Sequence, residues 1–158
     1  MNIVILNDTF SWYHWGCTAS SSGIREELQG RAHKLTYCHI LDTYNFKNIP
    51  TVLADFDSKE FFFNVVLTNN QQLFAEISDA DLILINGEGT IHYLSKPAVA
   101  LLYISYASKK YLNKVVHIIN HSPYPISRTD QDKNLVNQRR VINLSSAFFT
   151  SHKAVRAL

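Results

Sequence analysis

The chain has 158 residues, of which 46% are hydrophobic and 18% are charged, and its 15 lysines and arginines against 13 acidic residues give a formal net charge of +2. This composition excludes an intrinsically disordered chain, and the length predicts a single globular domain over residues 1–158, because it suffices for one core and is short for two. The basic residues are scattered rather than gathered in one stripe, so no nucleic-acid partner is expected.

The cysteines and the hydropathy of the chain indicate its surroundings. Cys17 and Cys38 are far apart, and neither belongs to a CxxC or cysteine-histidine spacing of the kind that binds zinc. No run approaches the ~20 apolar residues that cross a bilayer, and the first residues carry no basic leader or cleavage site. We therefore expect a cytoplasmic protein in a reducing compartment, with no membrane span and no cofactor.

Strands and helices alternate along the predicted chain. Strands are predicted at residues 2–6, 34–41, 81–86 and 114–120. Helices are predicted at 21–33, 70–80, 95–112 and 130–141, with a last helix up to 158. The segment 61–67 is either a strand or a short helix, and residues 147–149 form an apolar run. Ser95 and Pro97 mark the start of the third helix. Short apolar strands between helices indicate a parallel sheet covered on both faces. The predicted fold class is α/β: a doubly wound, mostly parallel sheet in a single Rossmann-like lobe.

Three of the predicted strands are followed by asparagine-led polar loops. Asn7 begins NDTFSWYHWGCT, Asn86 begins NGEGTIHY and Asn120 begins NHSPYP. Each asparagine taken singly is typical of a structural cap that bonds to neighbouring backbone. Parallel strands open their loops at one edge of the sheet, where ligands bind in doubly wound folds. Polar groups that converge there beside aromatic residues indicate a small-molecule or sugar pocket.

The loop NGEGTIH is not a phosphate-binding loop. A dinucleotide fingerprint would need a third glycine where His92 stands and an acid about 20 residues later, whereas no Asp or Glu occurs between Glu88 and Asp130. A P-loop would need Gly-Lys-Ser or Gly-Lys-Thr, which the chain does not contain. The two glycines, Gly87 and Gly89, instead predict a loop that lets a ligand approach the backbone closely.

Glu88 and His92 are the candidate acid or base groups of this loop. The alternative is that Glu88 caps the following turn while His92 packs half-buried. His14, His92 and His121 lie in separate loops without HxxxH spacing, so no metal site is predicted. Cys17 is either a nucleophile activated by a helix start or, as we favour, a buried inert thiol. The aromatic residues near these loops can stack on a sugar ring or belong to the core or an interface; they are Trp12, Tyr13, Trp15 and Tyr93.

A family resemblance follows from two segments. The stretch INGEGTIHYLSKPAVALLYISYASKKYLNKVVHIIN, residues 85–120, resembles the middle of the amino-terminal lobe of the polysaccharide pyruvyl transferase family, where an NGEGT-like loop follows a strand. The stretch WYHWGCTASS resembles that family's first glycine-containing loop. The resemblance implies a two-lobed transferase, similar to B-type glycosyltransferases, that moves a pyruvyl ketal from phosphoenolpyruvate to a sugar of a cell-surface glycan.

The resemblance also implies a site in which the first lobe holds the acceptor sugar. Glu88 or His92 is then the catalytic base. The predicted substrate-binding residues are Asn7, Gly16, Thr18, Asn86, Gly87, Gly89, Thr90, Tyr93, His121 and Ser122. The chain departs from the family at Gly16-Cys17, where many members carry glycine-aspartate, and at FFTSHKAVRAL, which has no arginine at the place where the family carries one. We therefore expect an acceptor-binding lobe that uses phosphoenolpyruvate only where a second lobe is present.

Two alternatives remain open at the level of sequence. One is a non-catalytic binding or assembly module, a single Rossmann-like lobe that forms a homodimer or binds a partner chain through its aromatic surface. The other is a fragment of a nucleotide-sugar glycosyltransferase, because one fold hosts many functions.

Overall fold

The computed structural model describes residues 1–91 and 95–121. Its elements are β1 (Asn2–Asp8), α1 (Trp15–Leu28), β2 (Lys34–His39), α2 (Ile40–Tyr44), α3 (Leu53–Asp57), α4, which begins as a π-helix (Phe61–Val66) and ends as one α-helical turn (Leu67–Asn69), α5 (Gln71–Asp79), β3 (Leu82–Asn86), α6 (Lys96–Leu112) and β4 (Val115–Ile119). The elements predicted at 130–141, 147–149 and beyond lie outside the described residues.

Within the described residues, four strands form one sheet in the order β2-β1-β3-β4, and all its neighbouring pairs are parallel. The predicted α/β fold with a parallel sheet is confirmed. The chain leaves β1 toward β2 on one side and later returns to β3 on the other side of β1. The order of the strands therefore reverses between β1 and β3, and their carboxyl ends flank the place where such sheets bind ligands.

The sheet carries a hydrophobic cluster on each face, because successive residues of a strand point to opposite sides. One cluster contains Ile3, Ile5, Leu82 and Leu84 together with Ile24 and Leu28 of α1. The other contains Val4, Leu6, Ile83 and Ile85 together with Leu101 and Ile104 of α6. The central strands are therefore covered on both sides, as the continuous apolar runs in β1 and β3 predict.

Helix α6 follows its sequence signals closely. The hydroxyl of Ser95 accepts a hydrogen bond from the amide of Ala98, and Pro97 lies in the first turn, where its missing N–H costs nothing. The helix ends at Leu112, and Asn113 follows with a φ of 52° in the left-handed region that asparagine tolerates. No helix among residues 1–91 and 95–121 has both the length and the apolar character to cross a membrane.

Several predicted boundaries were wrong. Helix α1 begins at Trp15 instead of residue 21 and ends at Leu28 instead of 33, so the WGCTASS stretch is helical and not a loop. The amino-terminal start was missed because the N-cap residue, His14, makes no side-chain cap bond, so the usual capping signal is absent. Strand β2 ends at His39 because Ile40 already begins α2. The run at 61–67, left open between strand and helix, is helical.

Candidate functional site

The asparagines at the ends of β1, β3 and β4 meet at the carboxyl edge of the sheet. The side-chain amide of Asn7 donates to the carbonyl oxygen of Asn86 at 2.7 Å and to the hydroxyl of Thr90 at 2.9 Å. The amide of Asn120 donates to Oδ1 of Asn86 at 3.1 Å and to Oε2 of Glu88 at 3.2 Å. Asn7 and Asn120 have φ values of 61° and 52°, a region that few other residue types adopt readily. The strand ends are therefore joined into one hydrogen-bonded edge.

The glycines after β3 bring their loop close to two other elements. Gly87 donates its backbone N–H to the carbonyl oxygen of Ile119 at 2.9 Å, and an added Cβ at Gly87 would lie 2.8 Å from Cβ of His121. Gly89 has a φ of 64°, and its Cβ position lies 3.5 Å from Sγ of Cys17. The loop therefore lies between the start of α1 and the end of β4, and each glycine has a distinct steric or backbone reason to be there.

Glu88 is the acidic group of the glycine loop and is half-buried. Its backbone N–H donates to Oδ1 of Asn86 at 3.4 Å, and its carboxylate accepts the bond from Asn120. The pKa of the Cys17 thiol is raised above its usual value, mainly by burial and then by the negative charge of Glu88. A raised pKa lowers the thiolate fraction, so Cys17 is not activated as a nucleophile.

Other predicted binding residues use their polar atoms inside the protein. Thr90 is 3% exposed and accepts the bond from Asn7, and Asn86 is 0% exposed. Thr18 lies in the first turn of α1, where its hydroxyl donates to the carbonyl oxygen of Trp12 at 3.0 Å and holds the preceding turn. Gly16 lies in the same turn, against the ring of His14. These residues shape the edge, whereas Glu88 and Asn120 reach its surface.

His121 packs on Gly87 and is half-buried. Burial lowers the pKa of its imidazole, while its hydrogen bond with the backbone of Gly87 acts in the opposite direction. His121 is therefore more neutral at the edge than a free histidine would be. His92, Tyr93 and Ser122, the remaining predicted site residues, lie outside the described residues. Within residues 1–91 and 95–121, no group of three or more His, Cys, Asp or Glu side chains is placed to hold a metal ion.

Two interactions near this edge have no signal in the sequence. The hydroxyl of Ser21, on the buried face of α1, accepts the backbone N–H of Thr9 at 2.9 Å and the amide of Asn86 at 3.3 Å, and so ties α1 to β1 and β3. Arg25 donates to Asp8 at 2.6 Å, and its guanidinium also lies over aromatic rings. Both contacts join residues that are far enough apart for no local pattern to reveal them.

One buried acceptor at the edge has no donor among the described residues. Oδ1 of Asn7 is buried and unpaired, although the same side chain donates twice through its amide nitrogen. Leaving a buried acceptor without a donor costs roughly 1–3 kcal/mol. This oxygen lies beneath the surface of the edge, so of the two acceptors it is the half-buried carboxylate of Glu88 that a ligand can reach.

No family model, no curated protein and no solved structure matches this chain. The resemblance to the polysaccharide pyruvyl transferases therefore rests on the two sequence segments that suggested it. The chemistry of the strand-end edge is that of Glu88 and Asn120 on its surface, with Asn7 and Asn86 beneath them.

Proposed function

We propose that the chain is a pyruvyl transferase-like lobe that binds the acceptor sugar of a cell-surface glycan at the carboxyl edge of its sheet. The observation that carries this proposal is the half-buried carboxylate of Glu88 in the glycine loop, held by Asn120 at the end of β4. Sugars present many hydroxyl donors, and a carboxylate at the topological switch point is a suitable acceptor for them.

The bonding of Glu88 supports this role. A carboxylate offers about four lone-pair sites, and among the described residues the side-chain donor to Glu88 is the amide of Asn120, which leaves capacity for ligand hydroxyls. The contact with Asn120 also fixes the position of the carboxylate, which reduces the side-chain entropy lost when a ligand binds. The close approach at Gly87 and Gly89 packs the loop against His121 and Cys17, and this packing fixes the backbone that carries Glu88.

In catalysis Glu88 is the proposed base, which takes the proton from an acceptor hydroxyl as that oxygen bonds to C2 of phosphoenolpyruvate. The methylene carbon C3 gains one proton and becomes the methyl group, and a second acceptor hydroxyl completes the ketal as phosphate leaves with the other proton. General-base assistance of this kind contributes typically ~10²- to 10⁴-fold in rate. His92 is the second candidate for the same step. The pyruvyl group would come from phosphoenolpyruvate bound by a second lobe, so full turnover requires that lobe.

The test is binding of monosaccharides by saturation-transfer NMR with the wild-type chain, Glu88→Gln and the control Glu26→Gln. Glu26 is an exposed carboxylate on α1, so its variant loses the same charge away from the edge. A panel of galactose, mannose and N-acetylmannosamine covers neutral hexoses and an amidated one. We expect binding of at least one sugar, weakened about tenfold by Glu88→Gln because hydrogen bonds to charged groups are worth roughly 1.5–3 kcal/mol, and unchanged by Glu26→Gln. Equal binding by all three proteins would contradict the proposal.

A second candidate function is an assembly module. Tyr13 and Trp15, just before and at the start of α1, are 85% and 82% exposed, which is unusual for such large rings. Exposed aromatic residues of this kind are enriched in protein interfaces. Light scattering of the wild type and of Trp15→Ser tests this function: a dimer that becomes a monomer in the variant favours an assembly role, whereas a monomer in both excludes a homodimer through this surface. Thermal shift with nucleotide sugars tests the glycosyltransferase alternative.

A further inference from the structure

A cavity of about 280 Å³ lies beside β2, an edge strand of the described sheet. Its lining includes Tyr37 and Cys38 of β2, Asp42 of α2, and Asn69, Gln72 and Glu76 from the α4–α5 region. No residue of this cavity belongs to the predicted sugar site. The volume is close to the lower end of the range of small-molecule pockets, roughly 300–1,000 Å³.

The wall formed at the α4–α5 junction is fixed by hydrogen bonds of one side chain. The amide of Asn70 donates to the carbonyl oxygens of Lys47 at 3.0 Å and Val66 at 2.8 Å, and its Oδ1 accepts the backbone N–H of Lys47 at 2.9 Å. Asn70 therefore joins the junction to the segment after α2. A cavity whose wall is held in this way exists before any ligand binds, which lowers the cost of binding.

The electrostatics of the cavity favour a cation. The described lining residues include the carboxylates of Asp42 and Glu76 and no lysine or arginine. At the cavity floor, burial raises the pKa of the Cys38 thiol to about 12, and the next causes are the charges of Asp42 and Glu76. Both carboxylates therefore act on the floor of the cavity, where an anionic ligand would be repelled.

The remaining lining groups select among cations. Side-chain amides such as those of Asn69 and Gln72, with the hydroxyl of Tyr37, can donate to and accept from a polar ligand. Among the described residues no group of three or more His, Cys, Asp or Glu side chains is placed to hold a metal ion. A protonated amine needs only hydrogen-bond acceptors around it, and hydroxyl groups on the same molecule would pair with the amides.

We propose that this cavity binds a small primary amine that also carries hydroxyl groups, with the ammonium group at Asp42 and Glu76 and the hydroxyls at the amide side chains. The site is independent of the proposed sugar site, since the two share no residue. The proposed ligand differs from a neutral sugar in one group, because it carries a positively charged amine in place of a hydroxyl.

The experiment compares glucosamine with glucose, which has a hydroxyl in place of the amine, by titration of the ¹⁵N-labelled full chain at neutral pH. We expect saturable shifts of the backbone amides of Asp42, Asn69 and Glu76 with glucosamine, in the millimolar range, and weaker shifts with glucose. Glu76→Gln should weaken the binding of glucosamine roughly two- to fivefold, as expected for the loss of an exposed ion pair. The control is Asp79→Asn, which removes a charge from the same helix outside the cavity and should leave binding unchanged.

Three results would overturn the proposal. They are equal binding of the two sugars, equal binding of glucosamine by wild type and Glu76→Gln, or shifts of the same amides that saturate at a lower concentration of calcium chloride than of glucosamine, which would indicate a metal site. If glucosamine shifts only the amides of Glu88 and Asn120, the cavity proposal fails while the sugar site stands. If glucosamine shifts the cavity amides but Glu88→Gln does not weaken the binding of any sugar, the cavity proposal stands and the sugar-site proposal fails. The two proposals are therefore separable in one set of spectra.

Discussion

Replacing Gly87 by alanine tests how tightly the glycine loop packs against β4. The added Cβ would lie 2.8 Å from Cβ of His121, 3.3 Å from its Cγ and 3.3 Å from Cγ2 of Ile118. The first of these contacts is with an atom that no side-chain rotation can move, because Cβ is fixed to the backbone. The backbone at the end of β4 or the glycine loop must therefore shift to accommodate the methyl group.

The cost of Gly87→Ala follows from two opposing effects. Forcing a methyl group into a well-packed region typically costs about 1–3 kcal/mol. Gly87 does not have a positive φ, unlike Gly30 and Gly89, so alanine also gains about 0.4–1 kcal/mol by restricting the unfolded chain. The net expectation is a free energy of unfolding lower by about 1–2 kcal/mol.

Urea denaturation followed by circular dichroism measures this change, read as a lower midpoint at an unchanged slope. The matched control is Gly23→Ala in the interior of α1, where a Cβ meets no described atom within 4 Å. That variant should gain about 0.5–1 kcal/mol, because alanine is the better helix former. If Gly87→Ala proved as stable as the wild type, the close packing of His121 on the loop would be refuted.

Three further outcomes are expected. Arg25→Leu should lower the free energy of unfolding by about 3 kcal/mol in urea, because it leaves the 4% exposed carboxylate of Asp8 without its partner; a loss below ~1 kcal/mol would contradict this. Burial lowers the folded-state pKa of His121, so as the pH falls below ~6.5 the unfolded chain binds more protons than the folded one. The contribution of His121 to the free energy of unfolding should therefore be fully present above pH ~6.5 and be lost as the pH falls through the folded-state pKa, and the loss should be smaller in His121→Gln. Iodoacetamide should alkylate Cys17 slowly at neutral pH and faster in Glu88→Gln, because removing that charge lowers the thiol pKa; an unchanged rate would show that Glu88 does not act on it.

The sheet and the long helix were predictable because their signals are local. The apolar runs in β1 and β3 and the cap at Ser95 with Pro97 each act within a few residues. Between β2 and β3, helix α5 was also predicted, at 70–80, whereas α2, α3 and α4 carry no comparable signal. These helices are three turns or fewer, and packing in the core decides their conformation more than intrinsic propensity does, as at Phe62, which is fully buried in the larger cluster.

The strand-end site was predictable in outline and not in detail. Parallel strands bring their carboxyl ends together, which is why Asn7, Asn86 and Asn120 were expected at one edge. The bonds among them depend on side-chain directions that the sequence does not specify. Ser21 is the clearest case, because it was assigned to the start of the helix and instead lies on its buried face, bonded to two strands.

The division of labour at this edge follows from which polar groups are already bonded. The side chains of Asn86 and Thr90 are 0% and 3% exposed and bond within the protein, so they position the loop and do not reach a ligand directly. Glu88 and Asn120 are partly exposed, and they are bonded to each other. A sugar bound here would therefore form hydrogen bonds mainly with this pair. Asn120→Ala should weaken sugar binding and also remove the hydrogen bond that holds the carboxylate of Glu88. Asn86→Ala should instead lower stability first, because it removes the group that joins α1, β3 and β4.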